Sequence, residues 1–160
     1  MNKAIGFIGL GVMGFPMAGH LSNHHKIRVF NRSLEKTKSW IEKYSGYECS
    51  SVKEISEASD ILFLCVGNDN DVREIISEKD GALEHLKPGS SIVDHTTTSA
   101  DLAKEMNNLL SSKNINYLDA PVSGGQTGAE SGQLSIMVGG KNELYEEFKD
   151  ILMTYSKFIK

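Results

Sequence analysis

The sequence predicts a doubly wound α/β domain, a mainly parallel sheet with helices on both faces. Three observations carry that prediction. Short apolar runs alternate with segments of helical spacing along the whole chain. The run Ile61–Val66 (ILFLCV) is apolar throughout, as expected of a strand covered by helices on both sides. A Gly-x-Gly-x-x-Gly string closes the first apolar run and opens the first helical segment.

Taken in order, Ala4–Ile8 reads as a strand, followed by a glycine turn and a helix of about a dozen residues from Val12. Ile27–Phe30 is the next strand. Leu34–Tyr44 has helical spacing, with Leu34, Thr37, Ile41 and Tyr44 on one face. After the strand Ile61–Val66 comes a helix over Asn70–Ser77, a turn at Lys87-Pro88-Gly89 and a strand over Ser91–Asp94. Ala100–Ser111 is helical, with Leu102, Met106 and Leu109 in one stripe. Thr98 and Asp101 fit a capping box at its start. Asn116–Leu118 and Gln133–Val138 read as strands, and Asn142–Leu152 as a last helix with Leu144, Phe148, Ile151 and Leu152 inward. Parallel strands need crossover helices, which stack on both sheet faces. The stretch from Ala120 to Gly132 shows no pattern of its own and is expected to be a long functional loop.

Composition narrows the function classes. The chain has 160 residues, 39% of them hydrophobic, which suits one domain with a substantial core. A net charge of −4 argues against a nucleic acid or an anionic membrane surface as partner. No run reaches the ~18 apolar residues of a membrane span. Met1–Gly6 leads directly into a strand with no signal-peptide pattern, so a cytoplasmic location is expected. Cys49 and Cys65 lie far apart and are expected to be reduced. His20, His24, His25, His85 and His95 show no metal-ligand spacing, so no metal site is expected.

The string Gly9-Leu10-Gly11-Val12-Met13-Gly14 stands where a strand passes into a helix, the context a dinucleotide-binding turn requires. Gly9 permits the tight turn, Gly11 lets a pyrophosphate approach the backbone, and Gly14 lets helix and strand pack closely. The helix N-terminus offers N–H groups and a positive dipole to phosphate. The fold expected is therefore Rossmann-type. The end of the second strand chooses the cofactor. NAD-binding domains of this type carry an acid there for the ribose 2′-hydroxyl. This chain has Asn31-Arg32-Ser33, with no acid before Glu35. Arg32 suits a 2′-phosphate, and Asn31 and Ser33 can add hydrogen bonds, so NADP(H) is the expected cofactor, with NAD the alternative.

Gly6–Met17 also resembles the start of the β-hydroxyacid dehydrogenases, a family that includes 3-hydroxyisobutyrate dehydrogenase and tartronate semialdehyde reductase. Asp94-His95-Thr96-Thr97-Thr98 resembles the family's D-x-S-T signature. Asp119–Gly125, running on through Gly128–Leu134 to Met137–Gly140, resembles its substrate-binding stretch. A more distant resemblance is to 6-phosphogluconate dehydrogenase. By the closer resemblance, Thr96 and Thr97 lie beside the nicotinamide and its ribose, and Cys65-Val66-Gly67 flanks the cofactor. Gly67 departs from the proline the family often has there. Asp71 falls where a helix-start residue approaches the ribose. Ser123, Gly124 and Gly125 would receive a small carboxylate substrate.

The family's proton-handling lysine sits in a G-x-x-x-N-x-x-K motif, and neither Lys157 nor Lys160 has that Gly and Asn before it. No catalytic residue is therefore assigned in this chain. The resemblance implies an all-helical second domain beyond residues 1–160, a homo-oligomeric full-length enzyme, and little turnover by this domain alone. The competing expectation is a non-catalytic dinucleotide-binding or partner-binding module.

Overall fold

A computed structural model describes residues 3–160. Six parallel strands form the main sheet: β1 (Ile5–Ile8), β2 (Ile27–Phe30), β3 (Tyr47–Glu48), β4 (Ile61–Leu64), β5 (Ser91–Asp94) and β6 (Asn116–Asp119). Their order is β3-β2-β1-β4-β5-β6. The chain runs outward from β1 to β3, then restarts at β4 on the other side of β1. That restart leaves a crevice at the carboxyl ends of β1 and β4, where doubly wound sheets bind ligands. Ile5–Ile8 pairs in register with Ile27–Phe30 on one side and Ile61–Leu64 on the other.

Successive strand side chains point to opposite faces, so each central strand feeds two cores. Phe7, Phe63, Val93 and Leu118 pack on one face with residues of α1 (Gly14–Ser22), α2 (Leu34–Lys43) and α8 (Asn142–Leu152). Ile8, Leu62, Leu64, Ile92 and Tyr117 pack on the other with α3 (Val52–Glu57), α4 (Asp69–Ser77), α5 (Ala82–His85) and α6 (Ala100–Ser111). Phe7 and Phe63 stack across β1 and β4 with ring centroids 6.0 Å apart. Removing a buried ring of this kind costs roughly 3–5 kcal/mol.

A second, three-stranded sheet orders as β7-β8-β9, from β7 (Val122–Ser123), β8 (Leu134–Ile136) and β9 (Ser156–Ile159). β7 and β8 are antiparallel, and β8 and β9 are parallel. Paired backbone bonds between Asp119 and Gly139, at 3.0 and 2.7 Å, join this sheet to the end of β6. No helix among the described residues is long and apolar enough to cross a membrane.

The sheet, α6 and α8 follow the sequence expectation, and the differences are local. The 120–132 stretch is not a bare loop: it contains β7 and α7 (Gly125–Ser131). β7 gains its order from pairing with β8, a partner that no local pattern announces. β3, α3, α5 and β9 are additional elements, all too short for a periodic signal. Along α2 and at its C-cap the expected Thr37, Ile41 and Tyr44 do face the core, joined by the buried Trp40, while Leu34 is exposed. Trp40 buries its ring in the core, and its Nε1–H is satisfied there by the Phe15 carbonyl at 3.2 Å. Helix α6 is capped by Ser99, whose hydroxyl accepts the Leu102 N–H, and not by Thr98. Its buried stripe is Leu102, Met106 and Leu110, with Leu109 half-buried at its edge.

Candidate functional site

The turn between β1 and α1 is held by three constraints. Gly9 has φ +103, a conformation side-chain-bearing residues rarely adopt. A Cβ on Gly9 would lie 2.0 Å from the Cys65 carbonyl oxygen, and one on Gly14 would lie 1.8 Å from the Gly9 carbonyl oxygen. The third constraint comes from the end of β2. The Gly9 N–H donates to the Phe30 carbonyl at 3.1 Å, and the Leu10 N–H donates to the Asn31 Oδ1 at 2.9 Å. The Asn31 amide in turn donates to the Ser33 carbonyl at 3.1 Å. Asn31 therefore braces the turn with both ends of its side chain.

Gly11 is the opposite case, for a Cβ there would meet nothing within 4 Å. Its bare backbone faces a cleft of about 670 Å³, within the range of small-molecule sites. Met13 occupies the cap position of α1 and supplies no side-chain acceptor. The Phe15 N–H bonds back to the Gly11 carbonyl at 3.0 Å and Pro16 has no N–H, so the donors that can meet an anion are those of the turn itself, from Gly11 to Gly14. The open approach at Gly11, the uncapped helix and the cleft volume all fit the pyrophosphate of a dinucleotide.

Of the residues picked out by sequence, the cleft wall brings together Gly9, Gly11, Val12, Met13, Gly14, Asn31, Arg32, Ser33, Cys65, Val66, Gly67 and Asp71. Leu10 is instead fully buried in the core below the turn. Thr96 is buried behind the wall, while Thr97 is exposed. Ser123, Gly124 and Gly125 are exposed on β7 and the start of α7, away from this wall. Gly124 and Gly125 have φ of +130 and +63. Beyond them, α7 is tied to α1 by His20, whose Nε2 lies 2.9 Å from the Ala129 carbonyl oxygen. Sequence reasoning missed Phe30, Val52, Glu74, Ile75 and Lys79, which also line the cleft. Phe30 ends the predicted second strand, and Glu74 and Ile75 lie in the helix predicted over Asn70–Ser77, but no local pattern marks them, Val52 or Lys79 as cleft residues.

Gly67 shows why this chain departs from a proline at that position. Its N–H donates to the Asp71 Oδ2 at 3.1 Å, a bond proline cannot make. Asn68 caps the same helix by accepting the Asp71 N–H at 3.0 Å.

Behind the cleft lies a buried polar network. Asp94 accepts the Thr96 N–H at 2.9 Å and the Tyr117 hydroxyl at 2.8 Å. Burial pushes its carboxyl up to about 6, against the pull of those two hydrogen bonds. Burial also raises the neighbouring Asp119 carboxyl. Asp119 Oδ1 and Thr98 Oγ1 are buried with no partner among the described residues. His95 spans the two sheets. Its Nδ1–H donates to the Ala120 carbonyl at 2.7 Å, which leaves Nε2 to accept the Tyr155 hydroxyl at 2.6 Å. Burial holds its imidazole down to about 4, so it is neutral. The Cys65 thiol is pushed up to about 12, first by burial and then by Asp94. That thiol is an unreactive packing group.

Outside the cleft wall's predicted residues, Asp80, Glu84 and His85 bring ligand-type atoms within 4.8 Å of one another. His85 Nε2 lies 3.2 Å from Asp80 Oδ1, and its Nδ1 lies 3.2 Å from Glu57 Oε1. These contacts account for the cluster as His85 packed among the carboxylates around α5.

The family model described as the NAD binding domain of 6-phosphogluconate dehydrogenase matches residues 4–160. A relative named probable 3-hydroxyisobutyrate dehydrogenase-like 2, mitochondrial, from Arabidopsis thaliana is 40% identical over 151 residues, 94% of this chain and 50% of its own. The solved structure of Mycobacterium tuberculosis 3-hydroxyisobutyrate dehydrogenase with L-serine superposes with a TM-score of 0.93 at 28% identity, covering 100% of this chain and 54% of that one. A structure described as Psf3 in complex with NADP+ and 2-OPP gives 0.93 at 29% identity, over 98% of this chain and 56% of the other. The chain spans about half the length of the curated relatives it matches. With a parallel sheet divided at the glycine turn and a family match running from residue 4 to residue 160, the chain belongs to this NAD-binding domain family and corresponds to the N-terminal domain of the β-hydroxyacid dehydrogenases.

Proposed function

We propose that this chain holds NADP(H) for a dehydrogenase that moves hydride between the nicotinamide and a small β-hydroxyacid or semialdehyde. The observation that carries the cofactor choice is the end of β2. Asn31-Arg32-Ser33 presents no carboxylate to a ribose, and Arg32 lines the cleft with its side chain 79% exposed. A planar guanidinium suits a 2′-phosphate in charge and geometry. The relative solved with NADP+ supports the same choice. When bound, the nicotinamide supplies the hydride chemistry.

The residues of this chain bind and orient. The backbone N–H groups from Gly11 to Gly14 receive the pyrophosphate. Val66, Gly67 and Asp71 flank the cofactor from the β4 side, with Thr96 fixed behind Val66. Thr97, exposed at the end of the β5 loop, lies on the nicotinamide side. Ser123 with Gly124 and Gly125 offers a hydroxyl and converging N–H groups to a substrate carboxylate. No residue here is assigned proton transfer to substrate.

Fluorescence titration with NADPH and NADH tests the cofactor assignment. The expected result is tighter NADPH binding, and reversal of that preference in Arg32→Asp. An unchanged NADPH/NADH affinity ratio in that variant sinks it.

A further inference from the structure

We propose that Glu74 sets the cofactor preference of the cleft by holding the Arg32 guanidinium, so that a 2′-phosphate has to displace a carboxylate before Arg32 can receive it. This rests on reading Arg32 as the phosphate-binding residue. Glu74 Oε2 lies 3.7 Å from Arg32 Nη1, and both side chains line the same cleft. Arg32 makes no other ion pair among the described residues.

The placement of Glu74 follows from helix geometry. It stands three residues after Asp71 in α4, and residues at that spacing share a helix face. The Gly67–Asp71 and Asn68–Asp71 hydrogen bonds pin the start of that helix against the cleft. The face that carries Asp71 therefore delivers Glu74 to the far end of β2, across from Arg32.

Charge along this wall adds to the effect. Asp71, Glu74, Glu78 and Asp80 line the cleft against Arg32 and Lys79, four acids to two bases. A 2′-phosphate brings a further charge of about −1.5 to −2 into this field, and a 2′-hydroxyl brings none. Both cofactors carry the charged pyrophosphate, so the acids near Arg32 oppose NADPH more than NADH, by the added charge of the 2′-phosphate. The Arg32–Glu74 pair is open to solvent, with side chains 79% and 61% exposed. Exposed pairs contribute little to folding. The pair acts on preference between cofactors and leaves the stability of the domain alone.

The experiment is a double-mutant cycle read by cofactor fluorescence. NADPH and NADH are titrated into the wild-type chain, Glu74→Gln, Arg32→Ala and the double variant, at low salt and at about 0.5 M salt. Circular dichroism confirms folding of each. Glu74→Gln is expected to tighten NADPH roughly three- to ten-fold at low salt, with NADH unchanged within about two-fold. The gain is expected to shrink at high salt and to fall substantially in the Arg32→Ala background. A gain for both cofactors alike, or a full gain without Arg32, overturns the proposal while leaving the Arg32 reading intact. Weaker NADH binding in Glu74→Gln also overturns it, by making Glu74 a ribose ligand. An Arg32→Ala variant with an unchanged NADPH/NADH ratio removes the Arg32 reading and the proposal together.

Discussion

The Thr96 hydroxyl accepts the backbone N–H of Val66 at 3.0 Å, and this contact ties the loop after β5 to the loop after β4. Thr96 is itself set by its own N–H, which donates to Asp94. Val66 lines the cofactor cleft, so the position of that wall depends on a hydroxyl behind it. Thr96→Val keeps the shape and removes the acceptor. An unsatisfied buried N–H costs about 1–3 kcal/mol. Urea unfolding is expected to show a loss of that order, and cofactor titration a weaker affinity. Thr96→Ser is expected to restore both.

The three glycines of the turn are expected to fail in different ways. Alanine at Gly9 or Gly14 drives a methyl group into a carbonyl oxygen, at 2.0 and 1.8 Å respectively. Backbone has to move in both cases, at a cost of about 1–3 kcal/mol or more. Alanine at Gly11 clashes with nothing in the protein. Gly11→Ala is expected to keep the wild-type unfolding midpoint and lose most of its affinity for NADPH. A Gly11→Ala variant that binds as well as wild type would remove the pyrophosphate from that position.

Asp94 and His95 are expected to give the acid stability of the domain two opposed components. The Asp94 carboxyl is raised to about 6 in the folded chain. Its contribution is complete below its ordinary range and is lost as pH rises through 6. The His95 imidazole is lowered to about 4. Its contribution is complete above its ordinary value of 6.5 and is lost as pH falls through 4. Urea unfolding from about pH 7 to about 4.5 separates them. Asp94→Asn, which can still accept the Thr96 N–H, is expected to lose stability more steeply than wild type as pH falls. His95→Gln is expected to lose it less steeply. Parallel curves for all three proteins would contradict both assignments.

Tyr155 gives a separate check on the joint between the two sheets. Its hydroxyl is the only partner of His95 Nε2 among the described residues. Tyr155→Phe strands that buried nitrogen, at about 1–3 kcal/mol. The expected outcome is a lower urea midpoint, with the NADPH/NADH affinity ratio unchanged.

Much of the fold was legible because it is written in local patterns. The run Ile61–Leu64 is apolar at every position because both faces of β4 are covered, and it therefore announces a central parallel strand. Helix α8 matches its expected bounds, since Leu144, Phe148 and Leu152 repeat at helical spacing. What escaped was short or non-local. β9 has no alternation to read, with burial falling from Ser156 to two exposed residues. α7 is rich in glycine and small polar residues, and packing against α1 and β8 holds it in place.

The sequence by itself determined the doubly wound sheet, the glycine turn at its centre and the absence of an acid at Asn31–Ser33. Each is a pattern within one element or at one junction, and local stereochemistry is enough to state it. Only the tertiary structure decided that Asn31 braces the turn, that Thr96 stands behind Val66, and that Glu74 faces Arg32. Those pairs lie 21, 30 and 42 positions apart in the chain. They meet because parallel strands bring their carboxyl ends to one edge of the sheet, where the loops and helix starts that follow converge on a single cleft.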